Sequence, residues 1–229
     1  MLFAIADAHL CLGTPDKTME IFPGWKDYIA RLEKNWRGAV GEDDVVVIAG
    51  DISWAMTLEE ARPDLAFIDS LPGRKLLLRG NHDFWWTTAA KLKAFFAENG
   101  FETLSILRGN AFSVGGLTVC GSRGWFFDSE EAHDKKIIAR ETGRIAASLD
   151  AGDALPGENV VFLHYPPVSV NGGSNEIIEL LEARGVKRVY YGHLHGEKTD
   201  RPAAAYGGPV GLRLISADHL GFCPLLIGG

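Results

Sequence analysis

The chain has 229 residues, of which 46% are hydrophobic and 10% aromatic, and 30 acidic against 23 basic side chains give a formal charge of −7. A chain of this length buries roughly 70% of its unfolded surface, so it folds without a disulfide or metal staple, and the composition excludes intrinsic disorder. No apolar run approaches the ~18 residues of a membrane span, and the acidic balance disfavours a polynucleotide partner while leaving open a small phosphorylated one.

The first segment, Leu2–Ala6, is an apolar strand candidate that ends at Asp7. It lacks a basic flank, so no secretory leader is expected. A helix is expected over Trp25–Trp36, a strand over Val45–Ala49, a helix over Thr57–Ser70 and a strand over Lys75–Leu78. A helix over Thr87–Asn99 and a strand over Thr103–Leu107 follow. Ala111–Val114 and Leu117–Gly121 flank Gly115-Gly116, the pattern of a tight hairpin. Then come a helix over Ser129–Leu149, a strand over Val160–Leu163, a helix over Asn175–Arg184 and a strand over Arg188–Tyr191. The tail, Gly211–Ile227, reads as two more strands, added antiparallel, with Asp218, His219 and Gly221 between them. Alternating strands and helices argue for α/β with mixed sheets. No repeat or linker divides the chain, so residues 1–229 read as one domain. Its three cysteines are scattered and form no CxxC pair, which fits a cytoplasmic protein without a disulfide framework or zinc finger.

The chemistry sits where strands end. Leu2–Ala6 leads into Asp7-Ala8-His9, Val45–Ala49 into Gly50-Asp51, and Lys75–Leu78 into Arg79-Gly80-Asn81-His82-Asp83. Val160–Leu163 leads into His164-Tyr165-Pro166-Pro167, and Arg188–Tyr191 into Gly192-His193-Leu194-His195-Gly196. Carboxyl ends of strands are where open α/β sheets hold ligands. Oxygen and imidazole donors without thiolate favour manganese, iron, zinc, nickel or cobalt. The nine Asp, Asn and His groups of these motifs are too many for one ion, and they suit two ions about 3.5–4 Å apart sharing a carboxylate. In Asp7-x-His9 and His193-x-His195, an extended chain would point both side chains the same way. The glycines before Asp51, Asn81 and His193 allow a sharp turn and a close approach.

The ordered set D-x-H, G-D, G-N-H-D, H and G-H-x-H, over residues 7–195, resembles the calcineurin-like metallophosphoesterase superfamily. The resemblance implies a four-layer αββα sandwich of two mixed β-sheets flanked by helices. It implies Asp7, His9 and His195 on one metal, Asn81, His164 and His193 on a second, and Asp51 bridging them. It also implies two divalent ions, manganese first, and a metal-bridging hydroxide attacking phosphorus. His82 would stand beside the leaving oxygen, oriented by Asp83. The chain departs from common patterns at Ile52-Ser53-Trp54, where many members carry Asp or Asn, and at Asp83, where several phosphatase branches carry Glu. With Gly121-Ser122-Arg123-Gly124-Trp125 after the hairpin, it looks closest to compact bacterial predicted phosphohydrolases.

Arg79 and Arg123 are candidate phosphate contacts, since guanidinium forks fit phosphate oxygens; Arg79 also reads as a surface residue ending a strand, and Arg123 as a structural anchor. Phe84-Trp85-Trp86 reads as packing under the next helix or as a stacking surface, and His133 as a solvated helix residue. His219 reads as a turn residue without a direct part. Asn171-Gly172-Gly173-Ser174 reads as a lid or as the lead into a helix cap at Asn175. The expected activity is hydrolysis of a small phosphoester, with a diester favoured over a monoester. The alternatives are a nuclease of the same superfamily and a catalytically silent scaffold.

Overall fold

Short β-branched and leucine-rich runs bounded by glycine or charge become ten strands among the residues that the computed structural model describes: 1–125, 132–169, 171–196 and 201–229. One sheet holds β1 (Leu2–Ile5), β2 (Val45–Ala49), β3 (Arg74–Leu78), β4 (Leu104–Ile106) and β10 (Leu225–Gly228), in the order β10-β1-β2-β3-β4. The other holds β5 (Ala111–Val114), β6 (Leu117–Ser122), β7 (Glu158–Leu163), β8 (Arg188–Tyr191) and β9 (Gly211–Leu214), in sequence order. β10 pairs antiparallel with β1, and β5 with β6; the other pairings are parallel. Both sheets are therefore mixed.

Side-chain alternation sets the layers. In β1 and β2, Phe3, Ile5, Val46 and Ile48 face a helix layer, built on α1 (Tyr28–Ala39), α2 (Leu58–Ser70) and α3 (Ala89–Glu98). Leu2, Ala4, Val45 and Val47 face the opposite way, into a seam shared with Val119, Val160 and Phe162 of the second sheet. On the far side, Cys120, Val161, Leu163 and Val189 pack under α4 (Ala132–Asp153) and α5 (Glu176–Ala183). Three apolar cores thus separate four layers, helix on sheet on sheet on helix. Burial on both faces explains why these strands read as continuous apolar runs.

Local signals set the helix starts. Thr57 and Asn175 accept backbone N–H bonds at the first turns of α2 and α5. Helix α1 starts at Tyr28 rather than Trp25, because Asp27 has φ +52°, which no helix continues through. Helix α4 runs on to Asp153, four residues past the expected end. Its expected start at Ser129, and the side chain of His133, lie outside the described residues. The tail does form two strands, but β9 runs parallel to β8 and only β10 is antiparallel. The short helix α6 (Arg201–Ala205) was not expected. Among the described residues, no helix is long and apolar enough to cross a membrane.

Candidate metal centre

Both sheets deliver donor atoms to one place. Asp7, His9 and His195 bring one ligand atom each within 4.8 Å of one another, and so do Asp51, His164 and His193. Asn81 joins the second group: its Oδ1 lies 2.6 Å from His164 Nε2 and 2.9 Å from His193 Nδ1. Asp51 borders both groups, with Oδ2 at 3.8 Å from His9 Nε2 and 3.6 Å from His164 Nε2. The two histidines of the last motif divide between the groups.

The backbone reaches this arrangement in an unexpected way. Asp7, His9, Asp51 and His193 have φ of +58°, +44°, +50° and +73°. The Asp7-x-His9 pair therefore converges through left-handed turns and not through an extended chain. Each such non-glycine residue costs about 1–3 kcal/mol and persists where the surroundings over-determine it. Gly50 also has positive φ, and a Cβ there would lie 2.6 Å from His164 Nδ1. Gly80 has another reason: a Cβ would overlap Asp51 Oδ1 and Asp51 N.

The electrostatics fit a cation. Asp7, Asp51 and His164 are fully buried, and His9 nearly so. Burial raises the Asp7 pKa to about 8, with the Asp51 charge adding to it, and burial raises Asp51 as well. Burial also lowers His164 and His193 to about 3 and holds His9 well below its usual range. Neutral imidazoles and desolvated carboxylates are metal-ligand forms, and such carboxylates remain charged only beside a cation. Asp7 Oδ1 is buried without a hydrogen-bond partner among the described residues, as a ligand oxygen would be. His164 Nδ1 lies 3.1 Å from the Ala49 carbonyl, which only accepts, so Nε2 carries the free lone pair.

Asp83 spends its oxygens on the backbone of two loops and on one indole. Its Oδ1 accepts from Ile52 N (2.9 Å), Ser53 N (3.2 Å) and Trp85 Nε1 (3.1 Å), and its Oδ2 from Gly80 N (2.7 Å). Among the described residues no hydrogen bond joins it to the His82 ring. Its carboxylate is spent clasping the Asp51 loop to the Asn81 loop. Burial, with the Asp51 charge, raises its pKa to about 7. His82 N donates to Asp51 Oδ1 at 2.8 Å, so the support that Asp51 receives comes from the third motif and not from the residues after it.

The His82 ring lies 4.4 Å from Trp54 and 5.8 Å from His9, centroid to centroid. It faces a cleft of about 220 Å³ lined also by Asp51, His193 and His195, with Met19 and Phe22 as apolar walls. Of the aromatic triplet, Trp85 and Trp86 are buried in the helix-side core, while Phe84 is exposed beside His82.

Two partners were missed from sequence. Asp218 Oδ1 lies 3.0 Å from His195 Nδ1 and fixes that ring. Burial pulls the His195 pKa down, but the Asp218 hydrogen bond and the Asp7 charge outweigh it, and the net shift is upward. Trp54 stacks on His9 at 4.8 Å. Neither contact has a spacing signal, since each joins separate loops. Arg79 and Arg123 flank the centre without touching its donors among the described residues. Arg123 Nη2 donates to Tyr165 Oη at 3.3 Å, and the Tyr165 ring lies 4.4 Å from His193. Asn175 caps α5 with two backbone bonds, which accounts for one reading of the Asn171–Ser174 stretch.

The calcineurin-like phosphoesterase family description matches residues 2–197. Over 58 residues the chain is 45% identical to the Gene 66 protein of Mycobacterium phage L5, covering 25% of this chain and 28% of that protein. The fold is similar to that of a protein of unknown function from Aquifex aeolicus, with a TM-score of 0.56 and 15% identity over 98% of this chain and 94% of that one. It is also similar to a phosphopantetheinyl hydrolase from Mycobacterium tuberculosis, with a TM-score of 0.50 and 15% identity over 85% and 82% of the two chains.

Proposed function

The chain belongs to the calcineurin-like phosphoesterase family and is a metal-dependent hydrolase of phosphoesters, and from this premise we propose that it cleaves a small phosphodiester in preference to a monoester, as a single cytoplasmic domain spanning residues 1–229. The observation that carries the reading is the pair of donor groups joined at Asp51. Asp7, His9 and His195 would hold one divalent ion; Asn81, His164 and His193 would hold the other; Asp51 would serve both. Manganese heads the candidate metals, because the donors are carboxylate, amide and imidazole without thiolate. When bound, such a pair supplies water activated for attack at neutral pH and charge neutralisation at the phosphoryl oxygens.

The remaining steps belong to the chain's own residues. His82, half-buried at the cleft wall, donates a proton or hydrogen bond to the leaving oxygen. Asp83 positions it by holding the turn on which it sits. Asp218 keeps His195 in one orientation, and Trp54 shields His9 from water on one ring face. The apolar walls at Met19 and Phe22 suit the organic part of an ester.

The test is hydrolysis of bis-p-nitrophenyl phosphate and p-nitrophenyl phosphate with added Mn²⁺ and with a chelator. Chelator-sensitive turnover with the diester preferred is expected. Preference for the monoester would reverse the substrate assignment, and turnover indifferent to chelator would remove the metal mechanism.

A further inference from the structure

A second pocket, of about 150 Å³, is lined by Arg79, Arg108, Arg123, Arg140 and Arg144, with Glu141 as its carboxylate. Five guanidinium groups face one carboxylate, in a chain whose net charge is −7. Glu141 is already engaged: it is buried, accepts from Ser122 Oγ at 2.8 Å, pairs with Arg144 and lies 3.8 Å from Arg140 Nε. Among the described residues, Arg79, Arg108 and Arg123 form no ion pair. The Nε atoms of Arg79 and Arg123 are buried without a hydrogen-bond partner there. Like charges held together in a partly desolvated pocket repel and destabilise the fold unless an anion joins them. Guanidinium forks match the oxygens of a phosphate, two donors to two acceptors.

The pocket adjoins the metal centre at two points. Arg79 stands two residues before Asn81 on the same turn. The Arg123 carbonyl accepts the backbone N–H of both His164 and Tyr165, at 3.1 Å each. A ligand anchored among these arginines can therefore reach the donor groups as part of the same molecule.

Resting on the phosphoesterase reading, we infer that this pocket binds a second, non-scissile phosphate of the substrate. The substrates of choice are then phosphoesters that carry a phosphate or pyrophosphate besides the bond being cut.

The first test uses inorganic pyrophosphate, titrated calorimetrically into metal-free protein held in chelator. Without cations the metal centre offers the anion no Lewis acid, so binding that the arginine variants lose reports the arginine pocket. The exposed pair Arg108→Gln/Arg140→Gln is expected to weaken binding by about tenfold or more, and Arg108→Gln alone, kept in case the pair unfolds, by about threefold. The second test compares the p-nitrophenyl ester of thymidine 5′-phosphate with and without a 3′-phosphate on the metal-loaded enzyme. The 3′-phosphate is expected to lower KM by about fivefold or more in the wild type and by less than about twofold in the double variant. Absence of pyrophosphate binding, or binding that both variants keep, overturns the pocket; a 3′-phosphate without KM advantage overturns its part in substrate choice. Wild-type hydrolysis of bis-p-nitrophenyl phosphate is read alongside. Normal hydrolysis without pyrophosphate binding removes the pocket alone, whereas loss of that hydrolysis removes the enzymatic reading beneath it.

Discussion

The Nε2 atoms of His9 and His195 lie 3.3 Å apart, although 186 residues separate them in the chain. Two nitrogens bound tetrahedrally to one ion at about 2.0–2.1 Å stand about 3.4 Å from each other. The spacing matches that of two ligands around one cation. His9 is braced by the Trp54 stack and His195 by Asp218, one from each side.

Asp218→Asn removes the charged partner of His195 and keeps its shape. Loss of an outer partner of this kind costs roughly 10–100-fold in metal affinity. Competition with a fluorescent chelator is expected to show that loss for one ion of the two. Equal affinity in variant and wild type would discard the role given to Asp218.

His82→Ala removes a side chain that borders the donors but belongs to neither group. It is expected to keep both ions by elemental analysis while turnover falls by about 10²–10⁴-fold. A larger effect on leaving groups of high pKa than on p-nitrophenolate would mark proton donation. Wild-type turnover would sink the assignment.

Gly80→Ala places a methyl group where Asp51 Oδ1 and Asp51 N already stand. Backbone must shift in one of the two loops that Asp83 clasps. The variant is expected to fold, since the strands before these loops are untouched, and to bind metal weakly with turnover near background. Full metal occupancy with normal rates would show that the close approach is dispensable.

Asp64 gives a pH dependence away from the metal donors. It accepts from Leu12 N at 2.7 Å and from Ser53 Oγ, linking the loops after β1 and β2. Burial raises its pKa to about 6, against an unperturbed 3.8. The folded state holds this proton more tightly than the unfolded state does. Its stabilising contribution is present below the unfolded pKa and is lost as pH rises through the folded one. Between about pH 4.5 and 7 that loss is about 2 kcal/mol. Urea unfolding in chelator should show the decline in the wild type relative to Asp64→Asn. Parallel pH profiles for the two proteins would contradict it.

Much of this was legible from residue order alone. Runs such as Val45–Ala49 carry their own strand signal, and the donors stand directly after them. The motif residues Asp7, His9, Asp51, His164, His193 and His195 do meet in two groups. The direction of β9 was not legible, because it depends on where the chain crosses before Gly211 and not on the strand's composition. Asp83 was expected to orient His82; that its carboxylate also bonds Ile52 and Ser53, across 31 and 30 positions, had no spacing signal. The contact of Asp218 with His195, and the meeting of Arg108 with Arg140 and Arg144 of α4, arise only from the packing of distant segments.

Each donor group takes members from both sheets: Asp7 and His9 with His195, and Asp51 with His164 and His193. The seam between those sheets is apolar, so it resists separation but is indifferent to small slips. Cations at its rim would act as rivets, directional where the seam is not, setting the angle at which the halves of the molecule meet. Neither half, folded by itself, owns a complete set of donors.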